Sequence, residues 1–169
     1  MRNTHAALVW IVGLLHDLKI PFEIDGGFAA AFYGSKRELA DIDINVPAER
    51  LGEITERVKD YLTFGPDWYR DEQWDLYMIS LNYAGQNIDI GALGQMKYYD
   101  KGEDKWKEIS SDMNDCRTVE YEGMNLPLVN EIKLMIYKQG LQRGVDKKDL
   151  HSMTDQLKNE WTGDQKKWK

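Results

Sequence analysis

With 169 residues, 42% of them hydrophobic and 30% charged, the chain has room for one domain of ordinary size and lies far from the composition of disordered chains. A net charge of −7 argues against a protein that coats long duplexes, because neutralising phosphates needs a positive surface. The single cysteine, Cys116, excludes an internal disulfide and a cysteine-based zinc site, so the expected compartment is the cytoplasm.

The longest apolar run, residues 6–15, is about half of what a membrane span needs. It follows Arg2 but leads into His16, Asp17 and Lys19 without the cleavage pattern of a secretory signal, so no membrane partner is expected. Leu8, Ile11, Val12, Leu15 and Leu18 recur at spacings of three and four and predict a helix. Residues 20–24 predict a short strand closed by the turn Asp25-Gly26-Gly27, and residues 28–33 a short alanine-rich helix. Residues 41–46 alternate polar and apolar as a half-buried strand does, and Pro47 ends the strand and starts a helix to about residue 62.

Gly65, Pro66 and several charges make residues 63–73 a predicted loop. Residues 74–83 and 87–93 form a predicted antiparallel hairpin around Ala84-Gly85-Gln86, residues 98–114 are ambiguous, and residues 117–121 read as a strand before the turn Glu122-Gly123. After Pro127, the residues Leu128, Ile132, Met135 and Ile136 trace a helix to about Leu141, and a second helix from near Val145 carries Leu150, Met153 and Leu157. The fold class is therefore α+β (mixed α/β): a small mixed sheet flanked by helices, with a C-terminal helical pair. A single domain is expected, its sheet over about 20–121, its C-terminal helices over about 128–158 and a polar tail over 159–169.

Asp41 and Asp43 leave the same face of one predicted strand, about 6–7 Å apart. Two such carboxylates repel each other, and a divalent cation held by hard oxygen ligands resolves the conflict. Asp89, between Ile88 and Ile90 on the second hairpin strand, supplies a third carboxylate if that strand lies beside the first. Such a trio suits attack at a phosphate, although an Asp-x-Asp pair alone equally suits a solvated strand edge. Gly26-Gly27, between a strand and a helix, lets backbone N–H groups approach phosphate oxygens, or is an ordinary turn.

Residues 25–44, from Asp25-Gly26-Gly27 through Arg37 to Asp41-Ile42-Asp43, resemble the nucleotidyltransferase superfamily in its compact form. That form includes minimal and antibiotic nucleotidyltransferases and the toxins of abortive-infection systems. The resemblance implies a nucleotidyltransferase-like domain that moves a nucleoside monophosphate from a nucleoside triphosphate, ATP among the candidates, to an acceptor hydroxyl with release of pyrophosphate. It implies Asp41, Asp43 and Asp89 as catalytic residues and ligands of magnesium, two ions being expected, with Asp89 as ligand or as base for the acceptor. Gly26, Gly27 and Arg37 would bind the nucleotide. A weaker match at Leu126-Pro127-Leu128-Val129, Lys138, Arg143, Lys148 and Asp149 implies that Lys138 and Arg143 face the triphosphate. Antibiotic nucleotidyltransferases of this kind usually carry Trp after Gly-Gly and an acidic residue in the next helix. Phe28 and Ala29-Ala30-Ala31 stand there instead, which argues against an antibiotic acceptor, while the spacing of Gly34 and Arg37 is closer to the toxin-like group.

His5, His16 and His151 lack the spacing of a zinc motif, and no Walker loop or nucleophile elbow occurs. Trp68, Tyr69, Trp74 and Tyr77 suit core packing more than base stacking. Lys133, Lys138, Arg143, Lys147 and Lys148 together would offer a local basic face for a tRNA acceptor. The remaining alternatives are a small-molecule acceptor such as an antibiotic, a catalytically silent nucleotide-binding module paired with an antitoxin or with itself, and a cation bound only for stability.

Overall fold

Asn3 opens the first helix, α1 (Thr4–Asp17), by accepting the Ala6 N–H at 2.9 Å, and Ala7, Leu8, Ile11, Val12 and Leu15 form its buried face. In the computed structural model, which describes residues 1–166, this helix is followed by β1 (Glu23–Asp25), α2 (Gly26–Phe32) and β2 (Asp41–Pro47). Next come α3 (Leu51–Val58), entered and left through 3-10 turns, and then β3 (Leu62–Arg70), β4 (Trp74–Tyr83), β5 (Gln86–Asp100) and β6 (Lys105–Glu108). The chain continues with β7 (Arg117–Tyr121), β8 (Met124–Leu128), α4 (Glu131–Leu141) and α5 (Gly144–Lys166). Among the described residues no helix is long and apolar enough to cross a membrane.

All eight strands join one mixed sheet in the order β3-β4-β5-β2-β1-β8-β7, with β6 added along the far half of β5. β2 runs parallel to β5 and β1 parallel to β8, while the other pairs are antiparallel. Period-two alternation sends Ile42, Ile44, Val46, Ile79, Leu81, Ile88 and Ile90 into the core with the apolar faces of α1 and α3. The residues between them, Asp41, Asp43, Asn45, Ser80 and Asp89, go to the opposite face. Register there is strictly enforced, because a one-residue slip would exchange isoleucines for carboxylates. The β4–β5 hairpin closes through Ala84 and Gly85, whose φ angles of 51° and 75° suit the twist of a two-residue hairpin turn.

Several elements differ from the sequence expectation. Residues 63–73 include most of β3, not a loop: as an edge strand with largely exposed side chains it shows no apolar alternation, and Gly65-Pro66 sits at its register shifts. β5 continues past Leu93 to Asp100 and pairs with β6, which gives the ambiguous segment its strand. The first strand is shorter than expected and includes Asp25. Leu128 closes β8 and not the start of a helix, so the sheet reaches beyond residue 121; Asn130 starts α4 by accepting the N–H groups of Ile132 and Lys133. Ile132 and Ile136 are half exposed, whereas Leu134, Lys138, Gly140 and Leu141 face inward, because ion pairs to α5 draw Lys138 into the interior. α5 runs through most of the expected polar tail, and residues 167–169 lie outside the described residues.

Because the α4 start rests on one side-chain cap, Asn130→Ala is expected to lower unfolding free energy by about 1 kcal/mol in urea titrations. An unchanged midpoint would place the helix start elsewhere.

Candidate active site

The strand registers bring the acidic residues of the sheet's polar face together. Asp25 on β1 stands opposite Asp43 on β2, and Asp43 stands opposite Asp89 on β5, so three carboxylates cross three adjacent strands in one row. Ser80 on β4 extends the row, its hydroxyl donating to Asp89 Oδ1 at 2.6 Å. Asp41 lies two residues along β2 on the same face. All four aspartates line one cavity of about 710 Å³ together with Gly26, Gly27, Arg37, Lys138 and Arg143, so every residue assigned from sequence to this chemistry reaches the same space.

Burial raises the Asp43 carboxyl to about 8, and the neighbouring charges of Asp89, Asp25 and Asp41 add to the effect while Lys138 opposes it. Burial also pushes Asp89 above its ordinary value, against the hydrogen bond from Ser80. Asp25 is raised by burial as well, although the Gly26 N–H donates to it at 2.7 Å and Asn45 Nδ2 at 2.9 Å. Among the described residues, no group of three or more His, Cys, Asp or Glu side chains is arranged to hold a metal ion. The donor set still suits a hard divalent cation: the carboxylates are close enough to obstruct each other's ionisation, and no Cys or His stands among them.

Asp25 is the member of the site that sequence reasoning left as a turn residue. An Asp before Gly-Gly at a helix start is the pattern of an N-cap, and the structure gives it that place on α2. Since Asp25 takes the Gly26 N–H, Gly26 contributes space more than a free donor. Its φ is +61°, and a Cβ there would collide with the Asp43 carboxylate. A Cβ on Gly27 would strike the Arg37 guanidinium, which therefore lies against the start of α2.

The three cations belong to a network anchored by two buried aspartates of α5. Lys138, 1% exposed, lies 2.8 Å from Asp149 Oδ2 and 3.4 Å from Asp146 Oδ1. Arg37 Nε and Ser35 Oγ both donate to Asp149 Oδ1, at 2.8 and 2.6 Å. Burial opposes the Asp149 charge, but the hydrogen bonds from Arg37, Lys138 and Ser35 together hold the carboxyl below its usual range. Arg143 donates to both oxygens of Asp146 and lies over the Trp74 ring at 4.7 Å.

The expected basic face over α4 and α5 does not assemble. Lys133 pairs with Asp115 at 3.5 Å, and Lys138 and Arg143 are engaged as described. Lys147 and Lys148 instead border a second hollow with Lys36, Arg37 and His151. Of the aromatics, Tyr69 and Trp74 line the main cavity, while Trp68 packs against Tyr77 and under Arg70.

A proton held by Asp43 in the fold is released by the unfolded chain above its ordinary value of 3.8, so without divalent ions stability should fall as pH rises from about 4 to about 8 and then level. Asp43→Asn should flatten that slope and, with a chelator at pH 8, be more stable than the parent. Urea unfolding at pH 5 and pH 8 reads the difference, and equal slopes would mean that Asp43 carries no buried charge.

The aminoglycoside-2''-adenylyltransferase family profile matches residues 7–153. Among solved structures, the lincosamide antibiotic adenylyltransferase LnuA, lincomycin-bound, is 15% identical with a TM-score of 0.60, over 91% of this chain and 98% of that one. ANT(2")-Ia in complex with adenylyl-2"-tobramycin is 14% identical with a TM-score of 0.58, over 92% and 90%. A Thermotoga maritima protein provisionally assigned as a nucleotidyltransferase is 17% identical with a TM-score of 0.58, over 99% and 95%. At such identities these structures share the fold, and among curated proteins no sequence match is found. The profile of an antibiotic-modifying family matches the chain although Phe28 and Ala29-Ala30-Ala31 stand at the positions of the usual Trp and acidic residue. The chain belongs to the aminoglycoside-2''-adenylyltransferase family and is a nucleotidyltransferase.

Proposed function

We propose that this protein transfers the nucleoside monophosphate of a magnesium-bound nucleoside triphosphate, ATP being the first to test, to a hydroxyl of a small antibiotic-like acceptor. The observation that carries this reading is the register of Asp43 against Asp89, which sets two half-buried carboxylates side by side in the cavity that Arg37, Lys138 and Arg143 also border. Asp41 and Asp43 are the residues that would hold one or two magnesium ions, which when bound would offset the carboxylate charge and polarise the phosphate oxygens, while Asp89 is kept for the acceptor. The acceptor oxygen forms a bond to the α-phosphorus, the bond from that phosphorus to the bridging oxygen breaks, and pyrophosphate leaves.

Asp89 takes the hydroxyl proton. Ser80 occupies its Oδ1, which leaves Oδ2 for the acceptor, and the burial that raises its pKa strengthens it as a base. Gly26 and Gly27 keep side chains out of the space beside Asp43 and Arg37, where the triphosphate would lie. Lys138, Arg143 and Arg37 stabilise the charge that develops on pyrophosphate. The acceptors to test first are those of the structural neighbours, tobramycin and lincomycin.

Asp89→Asn is expected to reduce pyrophosphate release by about 10²–10⁴-fold while retaining Mg·ATP binding. Calorimetry of a folded Asp41→Asn/Asp43→Asn variant should show that binding lost. An Asp89→Asn variant of parental activity would remove the base, and Mg·ATP binding unaffected by the double substitution would move the site elsewhere.

A further inference from the structure

The cavity has two chemically different ends. Towards β1, α2 and the C-terminal helices it carries the cations and the glycines. Towards β3 and β4 it carries apolar side chains, except at Trp74, whose ring lies under Arg143 and whose Nε1 donates to Tyr137 of α4 at 3.0 Å. Trp74, Leu76, Met78 and Ser80 alternate along β4 and all line the cavity, and Ser80 is the one bonded to Asp89. Two residues of strand span about 6–7 Å, so Met78 and Leu76 extend roughly 13 Å from the reacting carboxylates. Phe64 and Tyr69 of the edge strand β3 line the cavity beside them, with ring centroids 6.3 Å apart.

Among the described residues, the carboxylates on this cavity's wall are Asp25, Asp41, Asp43 and Asp89, all within the catalytic group. Elsewhere on the β3–β4 hairpin, Asp67, Asp71 and Asp75 have local partners, and the exposed Glu72 does not line the cavity. Asp71 accepts the N–H groups of Gln73 and Trp74 and the Tyr69 hydroxyl, Asp75 pairs with Arg70 at 2.7 Å, and Asp67 accepts the Trp68 N–H. A sugar with several ammonium groups would bring them against Phe64, Tyr69, Leu76 and Met78 with no anion to replace their hydration, and that desolvation is costly. A molecule with an apolar face gains by covering the same wall.

We infer that Phe64, Tyr69, Leu76 and Met78 form the acceptor subsite, and that it takes a hydroxylated acceptor with an apolar face and at most one positive charge, not a polycationic sugar. This rests on the transferase reading above and narrows its acceptor class within a family named for aminoglycosides. A nucleotide on the Lys138 side leaves the acceptor hydroxyl between Asp89 and the apolar wall.

The test compares lincomycin, which has one basic amine and an alkylated ring, with tobramycin, which has several amines. Both are titrated calorimetrically into the full chain with Mg·ATP binding measured alongside, and both are offered as acceptors in a pyrophosphate-release assay. The expected result is lincomycin bound at least tenfold more tightly, and favoured at least tenfold in kcat/KM. Tyr69→Ala, at a largely exposed position, should weaken lincomycin at least fivefold and more than it weakens Mg·ATP, while Leu76→Glu should shift preference towards tobramycin. Tobramycin bound or used as well as lincomycin, or no lincomycin binding while Mg·ATP binds, overturns the inference and leaves the transferase reading standing. Absence of Mg·ATP binding overturns that reading and this inference with it.

Discussion

Three carboxylates abreast on neighbouring strands are an arrangement that folding alone resists, and the rest of the molecule is organised around tolerating it. Like charges directly opposite each other in a sheet are destabilising, and Asp25, Asp43 and Asp89 occupy two such pairings in succession. Their opposition is offset from the other face, where Ile42, Ile44, Ile88 and Ile90 are buried in the central core and fix the registers. The isoleucines and the aspartates of β2 and β5 thus alternate along the same two strands, one set filling the core and the other lining the cavity. Glycine at position 26 completes the arrangement, because a side chain there would displace Asp43.

The cations opposite are held with equal care. Asp149 collects Ser35 and Arg37 from the segment after α2, and Lys138 from α4, onto one carboxylate of α5. That single group ties the segment between α2 and β2 to both C-terminal helices and fixes two of the three cations on the cavity wall. Asn45 performs a similar task on the acidic side, donating at 2.9 Å to Asp25 and also to Glu23. Buried ionic networks of this type restrain geometry more than they add net stability.

Much of this was legible in the sequence, for reasons tied to particular residues. The alternation of Asp41, Ile42, Asp43 and Ile44 gave the strand and its two faces, and the same pattern at Ile88, Asp89 and Ile90 identified its partner. That the two strands lie side by side was a conditional expectation that the registers fulfil, whereas their parallel direction had no signal in the sequence. Asp25 stayed hidden because its role depends on a cross-strand neighbour, although its capping pattern was present. β3 was unreadable because an edge strand with exposed side chains has no buried face to impose a period. The face of α4 was misread for the opposite reason: Ile132 and Ile136 look like core residues, yet α5 supplies partners that make a lysine the buried group. Asp146 and Asp149 carried no local sign of this, since ion pairing between helices is a property of the packed chain.

The lysine buried between Asp146 and Asp149 has a consequence for how an anion enters. Two carboxylates surround one ammonium, and Arg37 and Arg143 share those same carboxylates, so the positive wall is already largely neutralised from behind. A triphosphate bound there as proposed would not meet free charge. It competes with fixed aspartates for donors already spoken for, and its attraction to the cavity is an exchange of partners. The advantage is steric precision: the donors are oriented before the ligand arrives, so little side-chain freedom is left to lose.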